Sequence, residues 1–167
     1  MDEDKTNNSL NTIPKRLKYI AETYPDREIF ICVGKDSRDA FTARSLLNLA
    51  GKFAAQLLHN GFKHGDVIAN TLPNSPERII TDLGIILAGC IGLNGQILLA
   101  DGSDFLSAAW KAKCNGIILC PEQWSAAWRL FRNHIADPTV GMFSLVCHEQ
   151  VPDLTKVVLI RPRQLDM

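Results

Sequence analysis

From Leu83 to Ala100 the chain runs 18 positions without a charged side chain, and the way that stretch folds decides the class of the whole molecule. Its length touches the lower limit for a membrane-spanning helix. The pattern argues against one: Gly84, Gly89, Gly92 and Gly95 interrupt the run, Asn94 and Gln96 sit in its second half, and Asn94-Gly95 is a turn signal. The stretch therefore reads as the buried end of a helix followed by a strand, and no membrane span is expected.

On either side, short apolar runs alternate with helix-length segments. Thr12 and Pro14 suit the start of a helix in which Leu17, Ile20, Ala21 and Tyr24 recur before Pro25 ends it. Glu28–Val33 reads as a strand and Gly34–Asp39 as the turn after it. Thr42 opens the clearest helix, which runs to Asn60-Gly61 with Leu46, Leu47, Ala50, Phe53, Ala54, Leu57 and Leu58 on its buried face. A polar turn from Gly61 to Asp66, with Asp66 accepting amide hydrogen bonds, leads into a strand at Val67–Leu72. Ser75-Pro76-Glu77 then opens a helix whose inner face is expected at Ile79, Ile80, Leu83, Ile86 and Leu87.

The alternation continues with a strand from Ile91, a helix at Ser103–Lys113 carrying Phe105, Leu106, Ala109 and Trp110, and a strand at Gly116–Cys120. Pro121 is expected to start another helix, with Trp124, Ala127, Trp128 and Phe131 on one side, before strands at Phe143–Cys147 and Val157–Ile160. Strands separated by helices predict right-handed crossovers, hence an α/β fold: a doubly wound, mostly parallel sheet with helices on both faces. Ligands of such sheets lie beyond the carboxyl ends of the strands, here the loops at Pro73–Ser75, Leu99–Ser103 and Pro121. Asn74 and Ser75 are read as scaffold, with direct ligand contact as the alternative.

Charge excludes one class of partner. The 18 basic and 18 acidic side chains cancel, leaving no general pull toward nucleic acid or anionic membrane. Lys15, Arg16, Lys18, Arg161 and Arg163 read as solvated surface, and Trp110, Trp124 and Trp128 as packing, so no nucleic-acid partner is expected. Cys32, Cys90, Cys114, Cys120 and Cys147 are odd in number and lack C-x-x-C spacing, and they read as mostly buried reduced thiols of a cytosol-like compartment. His59 and His64 straddle a turn, and His134 and His148 are isolated in sequence, so no metal site is expected. Ser125 and Ser144 lack a nucleophile context. No catalytic, cofactor-binding or metal-ligating residue is assigned. Met1 to Asn11 is expected to be a disordered lead-in resembling neither a signal peptide nor a presequence, which makes the expected localisation cytoplasmic.

Four segments, in order, carry a family resemblance. They are Ala21-Glu22-Thr23-Tyr24-Pro25-Asp26-Arg27; Phe41-Thr42 with Leu46; Gly61-Phe62-Lys63-His64-Gly65-Asp66-Val67-Ile68-Ala69; and Leu72-Pro73-Asn74-Ser75-Pro76-Glu77 with Leu87-Ala88-Gly89-Cys90. Together they resemble the amino-terminal part of the AMP-forming adenylating enzymes, the superfamily of AMP-dependent synthetases and ligases, with acyl-CoA synthetases of medium-chain type nearest. Val151-Pro152-Asp153-Leu154 ahead of Lys156-Val157-Val158 extends the resemblance to about residue 160. Ala43 stands where the family has an aromatic residue, and Gly92-Leu93-Asn94-Gly95 replaces its pro-leu-asn-pro.

The resemblance implies residues 1–11 as lead-in, 12–160 as a partial AMP-binding domain and 161–167 as a tail. The parent reaction joins a fatty acid to ATP and passes the acyl group to coenzyme A, using magnesium. It needs a glycine-rich loop ending in pro-lys-gly, whereas the Pro-Lys pair here, Pro14-Lys15, has no such loop before it. The expectation is an amino-terminal fragment or short form that is not catalytic alone and binds none of these cofactors, with the parent family also found in mitochondria. The rival readings are an interaction module that self-associates or pairs with a full-length synthetase, and an unrelated nucleotide or flavin binder.

Overall fold

Three hydroxyls set where the first helices begin. In the computed structural model, which describes residues 12–34 and 38–163, Thr12 Oγ1 accepts the Lys15 amide at 3.4 Å and opens α1 (Ile13–Thr23). Thr42 accepts that of Ser45 at 3.2 Å and opens α2 (Ala43–His59). Ser75 accepts that of Arg78, also at 3.2 Å, and opens α3 (Pro76–Leu87). Each satisfies an amide that the first helical turn leaves without a carbonyl. The expected lead-in, residues 35–37 of the expected turn, and residues 164–167 of the tail lie outside the described residues.

β1 (Glu28–Val33) and β2 (Arg38–Thr42) form an antiparallel sheet of their own. Sequence reading assigned no strand to 38–42 and put Arg38 and Asp39 in the turn. Five mixed residues give little periodic signal, and they become a strand because β1 lies alongside. After α2 the chain reverses through Gly61 and Gly65 at φ of 79° and 89°, and Asp66 Oδ2 accepts the Lys63 amide at 2.8 Å, as the turn chemistry requires.

The main sheet comprises β3 (Val67–Asn70), β4 (Ile91–Asn94), β5 (Cys114–Leu119), β6 (Phe143–Leu145) and β7 (Lys156–Leu159), in the order β4-β3-β5-β7-β6. The first four of these neighbours run parallel, and β6 pairs antiparallel with β7. The uncharged stretch divides as expected: α3 stops, Gly89 turns at φ 76°, and β4 follows. No helix among the described residues is long and apolar enough to cross a membrane.

Side chains of the central strands alternate between two cores. Ile68, Ile118 and Val158 pack with Leu57 of α2 and Ile85 of α3 on one face. On the other face, Ala69, Ile117, Leu119 and Val157 pack with Phe105 and Leu106 of α4 (Ser103–Lys111) and Phe131 of α5 (Ala126–Phe131). Helices thus cover both faces, the doubly wound arrangement.

Several expected faces are corrected. α3 buries Thr81, Gly84 and Ile85, not the expected set, because Ile79 and Leu83 turn sideways toward α1 and β1. Trp110 is 58% and Trp124 57% exposed, so neither is core. The helix expected from Pro121 begins later, where the Ser125 hydroxyl accepts the Trp128 amide at 3.2 Å. Leu58 lies on the exposed side of α2.

Candidate functional site

Where β3 ends, the chain turns into α3 on one face of the sheet, whereas β4 and β5 lead to α4 and α5 on the other. Connections leaving neighbouring strands in opposite directions open a crevice at their carboxyl ends. A cleft of about 430 Å³ lies there, walled by Thr71–Asn74, Gly95–Leu98 and Trp124–Ala127. The first expected loop is thus in the cleft. The second contributes residues slightly earlier than Leu99–Ser103, and the third Trp124–Ala127 in place of Pro121.

Beneath the cleft sits a polar hub that the sequence reading missed. Asn70, fully buried at the end of β3, donates from Nδ2 to Thr81 Oγ1 and Asp82 Oδ1, each at 2.8 Å, and to the Arg78 carbonyl at 3.3 Å. Its Oδ1 accepts the Leu72 amide at 3.2 Å. The available signal was an asparagine closing an otherwise apolar strand, because a buried amide persists only where partners satisfy it. Arg78 extends the hub: its guanidinium donates to the Leu72 carbonyl and, at 3.4 Å, to Asn94 Oδ1, and its Nε lies 3.8 Å from Asp82. Arg78 therefore ties the loop after β3 to the end of β4.

The walls are otherwise apolar and short of proton-transfer groups. Leu72, Pro73, Ile97, Leu98 and Trp124 supply the apolar surface, Asn74 and Gln96 the exposed polar rim. The Ser75 hydroxyl is occupied as a helix cap, and that of Thr71 donates to the Ile118 carbonyl at 2.7 Å. Such a cleft can position an uncharged or weakly polar group.

Other residues singled out from sequence are distributed as follows. Ser144 Oγ accepts the Asp137 amide at 2.9 Å, and Ser125 caps α5. Arg161 pairs with Glu122 at 2.8 Å, while Arg163 reaches Glu77 at 3.0 Å and Asp39 at 3.5 Å, so both are engaged in ion pairs. His134 and His148, far apart in sequence, stand with ring centroids 4.5 Å apart. Among the described residues no three metal-type ligands cluster.

Cys114 and Cys120 lie at the two ends of β5 and are free, as are the other three thiols. Burial pushes both up to about 11. A folded pKa above the ordinary thiol value of 9.0 means stability that is whole below that value and is lost as pH rises toward about 11. Denaturation midpoints are accordingly expected to fall across that alkaline window. At neutral pH, iodoacetamide is expected to label exposed Cys147 and to reach Cys114 and Cys120 only on unfolding, as read by peptide mass spectrometry.

Comparison with known proteins adds three findings. The model of the family described as AMP-binding enzyme matches residues 17–97. A long-chain-fatty-acid–CoA ligase of Bacillus subtilis (strain 168) is 35% identical over 80 residues, covering 48% of this chain and 14% of that protein, so the chain spans about one seventh of its length. Among solved structures, an anthranilate CoA ligase bound to anthranoyl-AMP superposes with a TM-score of 0.60 at 17% identity, over 86% of this chain and 24% of that one. A fatty acid AMP ligase from Legionella pneumophila gives 0.59 at 19%, over 75% and 21%. The amino-terminal subdomain of NpsA from Klebsiella oxytoca gives 0.58 at 22%, over 70% and 29%. At these identities the likeness is one of fold.

Proposed function

We propose that the chain, which belongs to the superfamily of AMP-binding, adenylate-forming ligases by the match over residues 17–97, forms the front of a fatty acid–CoA ligase and does not activate acids by itself. The observation that carries this reading is the Leu72-Pro73-Asn74-Ser75-Pro76-Glu77 turn, set at the mouth of the cleft with Ser75 capping α3 and Arg78 bracing Leu72. A fatty acid as substrate is supported by the 35% sequence identity to the Bacillus ligase over 80 residues.

The residues present do not fit ATP with magnesium. A triphosphate needs several backbone amides and a cation aimed at one point. Here the α3 amide of Arg78 is capped by Ser75, and the Arg78 guanidinium is spent on Leu72, Asn94 and Asp82. ATP–pyrophosphate exchange with medium-chain fatty acids is expected to stay at background for these 167 residues. Robust exchange would overturn the claim of incompetence.

One observation favours a second reading, an interaction module that pairs with a full-length synthetase or with itself. β4 is an edge strand that begins at Ile91 and is followed by Leu98 and Leu99, which are 55%, 79% and 52% exposed, with no charge in the segment to discourage pairing. A monomeric profile on gel filtration, unchanged by adding a full-length synthetase, would remove this reading.

A further inference from the structure

We propose that His134 and His148 form a proton-operated clasp on the carboxyl end of α5, and that charging it loosens the Trp124–Ala127 wall of the cleft at the other end of the same helix. The inference does not depend on the ligase reading.

The pair is assembled by backbone pairing. After α5, a 3-10 turn at Arg132–His134 leads into a short antiparallel ladder. Cys147 N donates to the His134 carbonyl at 3.1 Å, Ala136 N to the Leu145 carbonyl at 3.0 Å, and Ile135 bridges Val146. This register sets the two imidazoles 4.5 Å apart and inclined by 49°. The His148 ring also lies 5.5 Å from that of Phe131, the fully buried last residue of α5.

Hydrogen bonds decide where the protons sit. His134 Nδ1 is 3.0 Å from the Cys147 carbonyl, which can only accept, so this ring carries its proton on Nδ1. His148 Nδ1 accepts the Gln150 amide at 3.3 Å, so it must be bare and the neutral ring carries its proton on Nε2. Protonating His148 places a hydrogen on Nδ1 facing the Gln150 N–H, which removes that bond. It also brings a charge beside the second imidazole and onto the aromatic edge of the core.

The charged surroundings point the same way. Burial, then the neighbouring His134, hold His148 below the ordinary imidazole value, and Glu149 of the same loop opposes them. The two arginines of the α5 segment face elsewhere: Arg129 donates to the carbonyls of Gln123 and Trp124 at 2.8 and 2.9 Å, and Arg132 to Gln123 Oε1 at 3.2 Å. Those three bonds couple the clasp to the cleft, because they run from the helix back to the loop that carries Trp124. A folded pKa below the unfolded one gives stability that is present above the ordinary histidine value and is lost as pH falls.

The test uses a Trp110→Phe background, in which Trp124 and Trp128 are the remaining tryptophans and are excited selectively over the two tyrosines. Acrylamide quenching is followed from about pH 8 to about pH 5. Quenching is expected to rise in acid with a midpoint below the ordinary histidine value. His148→Phe, which keeps a ring against Phe131 without a charge, is expected to abolish the transition, and His59→Asn to leave it intact. Absence of the transition in the parent, or its persistence in His148→Phe, would overturn the proposal. Should His148→Phe fold poorly, ring-proton NMR of the unsubstituted chain decides: a coupled pair with one member held low supports the clasp, and two independent ordinary titrations sink it.

Discussion

Replacing Gly84 with valine is expected to cost the fold roughly 3 kcal/mol, seen as a lower urea midpoint with an unchanged slope. α2 and α3 cross where Gly84 meets the preceding helix. A Cβ built there would stand 2.7 Å from the Phe53 ring and 3.0 Å from the Ala50 carbonyl oxygen. The ring can swing, but the carbonyl belongs to a buried helix backbone, so the helices must separate and the Leu57–Ile85 core open with them. Gly51, within α2, is the control. Nothing lies within 4 Å of a Cβ at that position, so Gly51→Ala is expected to gain roughly 0.5–1 kcal/mol from helix propensity and a less entropic unfolded chain. Opposite signs from two helical glycines would establish that contact between the helices, and not glycine content, sets stability here.

Asn70→Ala is expected to cost about 2–3 kcal/mol and to loosen the first wall of the cleft. The substitution removes the acceptor of the Leu72 amide and the donor to Asp82 at once, at a position that is itself fully buried. Arg78 still faces Asp82, so the loss falls mainly on the turn after β3. Hydrogen exchange separates the two consequences, with the Leu72 amide expected to exchange faster than amides of β5. Asn70→Asp is expected to be worse at neutral pH, because it places a second carboxylate beside that of Asp82. That excess loss should shrink in acid, where the new group takes up a proton.

Much of this architecture was legible because the relevant signals were local. Thr12, Thr42 and Ser75 each announce a helix start through a hydroxyl placed before an apolar repeat, and all three cap as read. The Gly61–Asp66 turn carries its conformation in its own residues. What escaped depended on packing partners and not on the pattern within the segment itself. β2 exists because β1 offers it a ladder, and the inner face of α3 could not be ranked by hydropathy when α1, α2 and the sheet all adjoin it. Trp110 and Trp124 read as inward because their spacing fits a helical face, although large rings also serve at surfaces.

The site divides along the same line. Its position at the strand ends follows from the alternation of strands and helices, and Pro73 and Asn74 line it as the rule requires. The Asn70 hub and the histidine pair are three-dimensional facts. The hub needs α3 folded back over β3, and the pair needs the ladder that aligns His134 with Cys147.

The strand order also governs how this protein is made. β6 leaves the ribosome before β7, yet β7 is its neighbour in the sheet and also the second neighbour of β5. A nascent chain halted just short of Lys156 would hold β3, β4 and β5 together with one side of β5 still bare, and β6 would have no strand to join. Closure thus waits until residues 156–159 have emerged, and until then the Ile117 to Leu119 segment lacks its second neighbour in the sheet.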